Sequence, residues 1–308
     1  MQAYLEAKRT VDDRALNRRV LERLQAELTR DEPVRIVELG AGMGTMLPRL
    51  AEWGLLPDRV SYHAVDHNAT TIERAQDRLP AELEARGYDV LRSDKSGTAT
   101  FVAHPNEDHL ESPNSQCSRL EVTLECGDAL SLELTADLII AAAFLDLVDA
   151  DIALPAIESM LADGGLLYAP ITYDGATGFA PRDPLDSRLE QAYHRHMDEY
   201  RSGGRSDAGR HLLSALPARN WDLLESGGSA WVVRPREAGE GYPHREAVVV
   251  EHILETIDGA VSEVLVDEPE IATARELERW LERRLAELER GELVYTAANL
   301  DILARPLQ

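Results

Sequence analysis

An α/β fold, doubly wound around a mostly parallel sheet, is predicted by three observations. The apolar run Val34-Arg-Ile-Val-Glu38-Leu stops abruptly at Gly40-Ala-Gly42-Met-Gly44-Thr45. A second run, Val60-Ser-Tyr-His-Ala-Val, ends on a carboxylate, Asp66. Further strand-like runs, Ala136-Asp-Leu-Ile-Ile140 and Leu161-Ala-Asp-Gly-Gly-Leu-Leu-Tyr168, then follow at the distance a crossover helix needs. Together they place a glycine loop and an acid at neighbouring strand ends, where open α/β sheets hold their ligands.

The elements follow in order. Residues 1–30 read as an N-terminal helical segment that begins near Asp12 and Asp13 and carries Leu16, Val20, Leu24 and Leu28 at four-residue intervals. A helix starting near Met43 puts Met46, Leu47, Leu50 and Trp53 on one face and stops at Gly54. Thr70 to Leu79 form the helix after the second strand, with Pro80 as its break. Residues 85–118 are a polar detour of surface loop, including Ser93-Asp-Lys-Ser-Gly97 and Glu111-Ser-Pro-Asn-Ser115, with one extra strand at 98–104. At Thr172-Tyr-Asp-Gly-Ala-Thr-Gly-Phe179 the chain is expected to leave the sheet as a ligand-side loop. An amphipathic helix over 185–200 and the turn Ser202-Gly-Gly-Arg-Ser-Asp-Ala-Gly209 lead to a helix at 210–216, so that 172–216 reads as a lid. Strand material surrounds Ser226-Gly-Gly-Ser229, and two helices follow. The second is opened by the capping box Thr273-Ala-Arg-Glu276 and closed at Gly291. A last strand over 293–303 returns to the sheet edge, so that 31–308 complete one domain.

The glycine loop narrows the ligand. A pyrophosphate cofactor calls for Gly-x-Gly-x-x-Gly, but Thr45 stands where the third glycine belongs. Glu38 would repel a diphosphate and suits a ligand carrying ammonium and sulfonium charge. These residues resemble the class I S-adenosylmethionine-dependent methyltransferase family. The likeness comprises Glu38-Leu-Gly-Ala-Gly-Met-Gly44, Asp66, Cys126-Gly-Asp128-Ala-Leu130, Ala136–Ile140 and Leu161–Tyr168, which arrive in the family's order across residues 33–172. It implies a seven-stranded Rossmann-like sheet with an antiparallel final strand, and S-adenosylmethionine as cofactor. It also implies that Glu38 faces the methionine part, Gly40, Gly42 and Gly44 pass beneath it, Asp66 holds the ribose with His67 beside it, and Asp128 meets the adenine amino group. The reaction implied is in-line displacement at the methyl carbon, releasing S-adenosylhomocysteine. A non-catalytic S-adenosylmethionine-binding protein, an aminopropyl transferase and a nicotinamide-dependent oxidoreductase are the other readings.

The acceptor is read as a small molecule. After the fourth strand, Ala141-Ala-Ala-Phe144-Leu-Asp146 lacks the Asp/Asn-Pro-Pro-aromatic tetrad used on nucleobases. Phe144, Tyr173 and Tyr193 are the candidate acceptor contacts, with Asp174 beside them, and His196 is the candidate base on the inward face of its helix, His194 pointing elsewhere. Asp146 reads equally as a helix cap. His194-Arg-His196-Met-Asp198 imitates a ligand set, but residues two apart on a helix do not share a face, so no metal is expected.

With 56 acidic against 32 basic residues, the formal charge of −24 argues against nucleic acid and anionic membranes as partners. Lys8 and Lys95 are the only lysines, which fits either a salt-rich cytoplasm or arginine-favouring codons. Cys117 and Cys126 form no Cys-x-x-Cys pair, and the first residues lack the apolar core of a signal peptide, so a cytoplasmic protein is expected.

Overall fold

Strands rich in Val, Ile and Leu, buried on both faces, build the centre of the molecule. The structure is a computed structural model and describes residues 2–28, 33–93, 99–106, 117–237 and 240–307. Strands β1 (Val34–Leu39), β2 (Arg59–Asp66), β3 (Tyr88–Ser93), β4 (Ala99–Pro105), β5 (Arg119–Cys126) and β6 (Ala136–Ile140) are followed by β7 (Leu161–Ala180), β8 (Trp221–Gly228), β9 (Trp231–Val233) and β10 (Val294–Pro306). They form one sheet in the order β3-β4-β5-β2-β1-β6-β7-β10-β8, with β9 also pairing β10. The block β5-β2-β1-β6-β7 is parallel, and β10 runs antiparallel between β7 and β8. The doubly wound sheet and its antiparallel final strand are thus present. Among the described residues the sheet has ten strands rather than seven, because β3 and β4 extend the β5 edge antiparallel and β9 is added at β10.

Helices cover both faces. α1 (Gln2–Ala7), α2 (Arg9–Ala15), α3 (Arg18–Glu27), α4 (Met46–Glu52) and α5 (Ala69–Glu84) lie on one face. There Val34, Ile36, Leu47, Leu50 and Leu79 share a core with Val249 and Leu254 of α9 (Glu246–Asp267) and Leu277 and Trp280 of α10 (Ala274–Glu289). On the other face, α6 (Ala150–Met160) and α8 (Ala208–Ala218) pack Leu154, Ile157, Leu212 and Leu216 on Val37, Leu39 and Ile139. None of the described helices is long and apolar enough to cross a membrane.

Several expectations are corrected. The N-terminal helix is three helices: the side chain of Asn17 accepts from the N–H groups of Arg19 and Val20 and starts α3 afresh, leaving Asp12 and Asp13 inside α2. The helix after the glycine loop starts at Met46, since the loop's three glycines all hold positive φ. Pro80 does not break α5; it lies inside the helix, buried with Leu79 and Leu83. β3 occupies ground read as surface loop. Most of Ser93–Gly97 and all of Glu111–Ser115 lie outside the described residues. The chain does not leave the sheet at Thr172, because β7 continues to Ala180 along β10, with a bulge between Tyr173 and Thr177. What remains of the expected lid is α7 (Asp186–Arg195), a π-helical turn over His196–Tyr200, the glycine turn and α8.

Candidate active site

The loop after β1 is held by its own amides. Ala41 N–H donates to the Val65 carbonyl at 2.9 Å, Gly44 N–H to Ala41 at 2.9 Å, and Gly42 N–H to the Asp66 carboxylate at 2.8 Å. Three N–H groups that a pyrophosphate cradle would use are therefore spent within the protein. Asp66 accepts once on each oxygen, from Gly42 and, at 2.9 Å, from Asn68 N–H. A carboxylate offers about four acceptor positions, so one remains on each oxygen, the number a vicinal diol needs.

Next to the end of β2 lies a cavity of about 470 Å³ lined by residues that include Gly40, His67, Asp128 and Phe144, with Asp66, Gly42 and Gly44 outside that lining. Three strand ends, those of β1, β2 and β5, supply its floor. Gly40 holds a φ of 64°, and a Cβ there would stand 2.6 Å from Cδ2 of Phe144, so a side chain is both strained and crowded. Gly42 faces open space, with nothing within 4 Å of a Cβ built on it, whereas Gly44 is pressed by Leu79. Asp128 is exposed and accepts from Leu130 N–H at 3.0 Å and Ser131 Oγ at 2.7 Å. These bonds, Ser131 first, hold its carboxyl below the usual range. Asp128 thus closes its own turn while lining the cavity. A roomier cleft of about 880 Å³ lies among α2, α3 and α4, but no strand end or loop glycine reaches it.

Glu38 does not line the cavity. It is buried beneath the loop, where its Oε2 accepts from the Tyr62 hydroxyl at 2.7 Å. Burial raises its carboxyl to about 7, against the pull of Tyr62 and Arg49. Arg49, itself buried, spans from α4 to α2, donating to both Asp12 and Asp13 and to the Arg9 carbonyl. This bridge fastens the N-terminal helices to the glycine-loop helix; Asp12 and Asp13 read in the sequence only as helix-start acids, and Arg49 is not marked there at all. Because the folded state keeps the Glu38 proton to higher pH than the unfolded chain does, stability falls as pH rises from about 4.5 through about 7. Glu38→Gln keeps an acceptor for Tyr62 and is expected to raise the melting temperature at pH 8 and leave it unchanged at pH 4. An equal shift at both would show that charge is not the cause.

Two backbone strains mark the neighbouring strand ends. Ala143 after β6 and Ile171 within β7 hold left-handed φ of 48° and 55°. For a β-branched residue this costs roughly 1–2 kcal/mol. The Ile171 N–H donates to buried Asp301 of β10 at 2.8 Å, and Asn17 N–H binds the other oxygen of that carboxylate at 2.8 Å. Strain of this kind concentrates where a site over-determines the chain.

The acceptor-side candidates divide. The Tyr173 hydroxyl meets Thr177 Oγ1 at 2.8 Å and Nε2 of His194 at 2.9 Å. His194, not His196, therefore turns toward the sheet. His196 faces the opposite way, to Glu263 of α9 at 3.0 Å, because α7 is packed between β7 and α9 and the π-helical turn shifts its phase. Tyr193 packs beside His194, their ring centroids 6.4 Å apart. Asp174 is taken up by Arg210 of α8, and Asp149 rather than Asp146 caps α6.

No family model and no curated protein matches this sequence. Among solved structures, an S-adenosylmethionine-dependent methyltransferase from Geobacter sulfurreducens in complex with S-adenosyl-L-homocysteine is 13% identical, over 95% of this chain and 92% of that one, with a TM-score of 0.43. A methyltransferase from Thiobacillus denitrificans, in complex with the same molecule, is 15% identical over 95% and 93%, at 0.42. The YcgJ protein from Bacillus subtilis is 11% identical over 95% and 100%, at 0.45. Likenesses this distant leave the functional reading to the site's own geometry.

Proposed function

We propose that this chain is an S-adenosylmethionine-dependent methyltransferase acting on a small molecule. One observation carries the reading: three of the loop amides are spent on Val65, Asp66 and Ala41, while Asp66 retains an acceptor position on each oxygen and its neighbour His67 lines the cavity. Such a site suits a nucleoside that brings a ribose diol and no phosphate. The adenine lies toward Asp128 and Leu130, the ribose on Asp66, and Phe144 walls the sulfonium end. Glu38, beneath the loop, contributes negative charge on the side of the methionine ammonium when ionised. The protein's part in the reaction is to place the acceptor in line with the carbon–sulfur bond and to exclude water. α7, the glycine turn and α8 form the lid that selects the acceptor.

Calorimetric titration with S-adenosylmethionine, S-adenosylhomocysteine and NADH, at low and high salt, tests this. Binding of both adenosyl ligands and not of NADH is expected. NADH binding alone would replace the reading with a hydride-transfer one, and no adenosyl binding at either salt would remove it.

A further inference from the structure

The cleft of about 880 Å³ among α2, α3 and α4 shares no lining residue with the adenosyl cavity. α4 starts beside the glycine loop, whereas Glu52 and Trp53, which line the cleft, stand at its far end, roughly 10 Å along the axis from Met46. Part of the lining is already committed. Buried Arg49 donates to Asp12 and Asp13, and Arg14 is held by both oxygens of Glu246 at 2.5 and 2.8 Å. Gln25 Nε2 donates to the Gly54 carbonyl at 3.0 Å, which ties α3 to the turn after α4.

The rest of the lining is uncommitted. Arg18 and Glu22 lie four residues apart, on one face of α3, and neither makes a hydrogen bond or an ion pair among the described residues. Arg86 donates to Oε2 of Glu52 at 2.7 Å, but Oε1 accepts from no described residue. Trp53 is half-buried, and its indole N–H donates to no described residue. Leu16, Leu21 and Leu55 add buried apolar surface to the same space. A purely anionic ligand would be repelled by Glu22 and Glu52, and a purely apolar one would take water from Arg18 without replacing its bonds. A ligand with one charge of each sign and an apolar body meets every open group. The volume falls within the roughly 300–1,000 Å³ of small-molecule sites.

We propose that this cleft binds a small zwitterion with an apolar side chain, the chemistry of an apolar α-amino acid. Its carboxylate meets Arg18, its ammonium lies between Glu22 and Glu52, and its side chain rests on Trp53. The site lies beyond the methyltransferase reading and does not depend on it.

The test titrates the full chain with L-phenylalanine and L-leucine, followed by tryptophan fluorescence and by calorimetry. Trp221, Trp231 and Trp280 are buried, which leaves Trp53 as the reporter. Phenethylamine and hydrocinnamate, isoamylamine and isocaproate are the twins that keep only one of the two charges. Saturation by at least one amino acid at about 1 mM or below is expected, a modest affinity for a ligand of this size. Each of its twins is expected to bind about 10-fold more weakly, the order of one charge-assisted contact partly open to water. Arg18→Ala is expected to erase the advantage over the amine twin, and Glu22→Gln with Glu52→Gln the advantage over the acid twin. All three side chains are exposed, so a thermal melt is expected to show both variants folded, and the twin comparison in the unaltered protein stands without them. Trp53→Phe is expected to remove the fluorescence change while the heat of binding persists. No saturation by either amino acid, twins that bind equally well, or a fluorescence change that survives Trp53→Phe would each overturn the proposal. Displacement of the amino acid by S-adenosylhomocysteine would overturn it as well, by making the cleft the adenosyl site.

Discussion

Asp66→Ala is expected to weaken S-adenosylhomocysteine binding by more than about 100-fold. Two hydrogen bonds from a ribose to a charged carboxylate are lost, each worth roughly 1.5–3 kcal/mol. The same substitution frees the Gly42 and Asn68 N–H groups, so the loop also loses the clasp that shapes it. Gly42→Val separates the two effects. Its Cβ meets no protein atom within 4 Å, and the positive φ of 56° costs a β-branched residue roughly 1–2 kcal/mol, short of unfolding the domain. It is expected to block binding as fully as Asp66→Ala while the protein still melts cooperatively. Calorimetry and thermal melts of both variants check this; micromolar affinity retained in both would mean that the adenosyl site lies elsewhere.

Arg49→Ala is the other large change. Its guanidinium is buried, and its removal leaves Asp12, also buried, with Lys8 alone for company. Breaking a buried ion pair from one side typically costs roughly 3–5 kcal/mol. The variant is expected to lose that much in urea denaturation. Neutralising the buried acid as well, as Asp12→Asn with Arg49→Met, is expected to recover part of the loss, because no unpaired charge is left fully buried and Asp13, one third exposed, keeps Arg9 at 3.9 Å. A cost below about 1 kcal/mol would show that the bridge between α2 and α4 contributes little.

What could be read in advance follows from range. The glycine loop after β1, the acid at the end of β2 and the strands themselves depend on local patterns of β-branched residues, glycines and a terminal acid, and the structure carries them. The capping box at Thr273 and Glu276 is likewise local and present. Misreadings arise where tertiary contacts outweigh local preference. Pro80 costs its helix roughly 3 kcal/mol, yet the helix continues, burying Leu83 beyond it. His194 and His196 could not be ranked from one amphipathic stripe, since α7 has partners on two sides: Tyr173 on the sheet and Glu263 on α9. Arg49 carries no motif at all, and Asp12 and Asp146 are legible only as acids at helix starts, a place that Asp149 takes instead at α6. A buried arginine on α4 becomes meaningful only when its partner is seen across the fold.

The position of β10 bears on how the protein is made. This strand comes after every other in sequence yet lies between β7 and β8, and its Asp301 receives N–H groups from Asn17 and Ile171. On the ribosome, then, β7 and β8 emerge with facing edges unpaired, and the strained turn at Ile171 waits for its carboxylate. A nascent chain in that condition offers open strand edges to its neighbours. Translation stalled before β10 is consequently expected to yield aggregate, because the edges that β10 would pair stay open in the shortened chain.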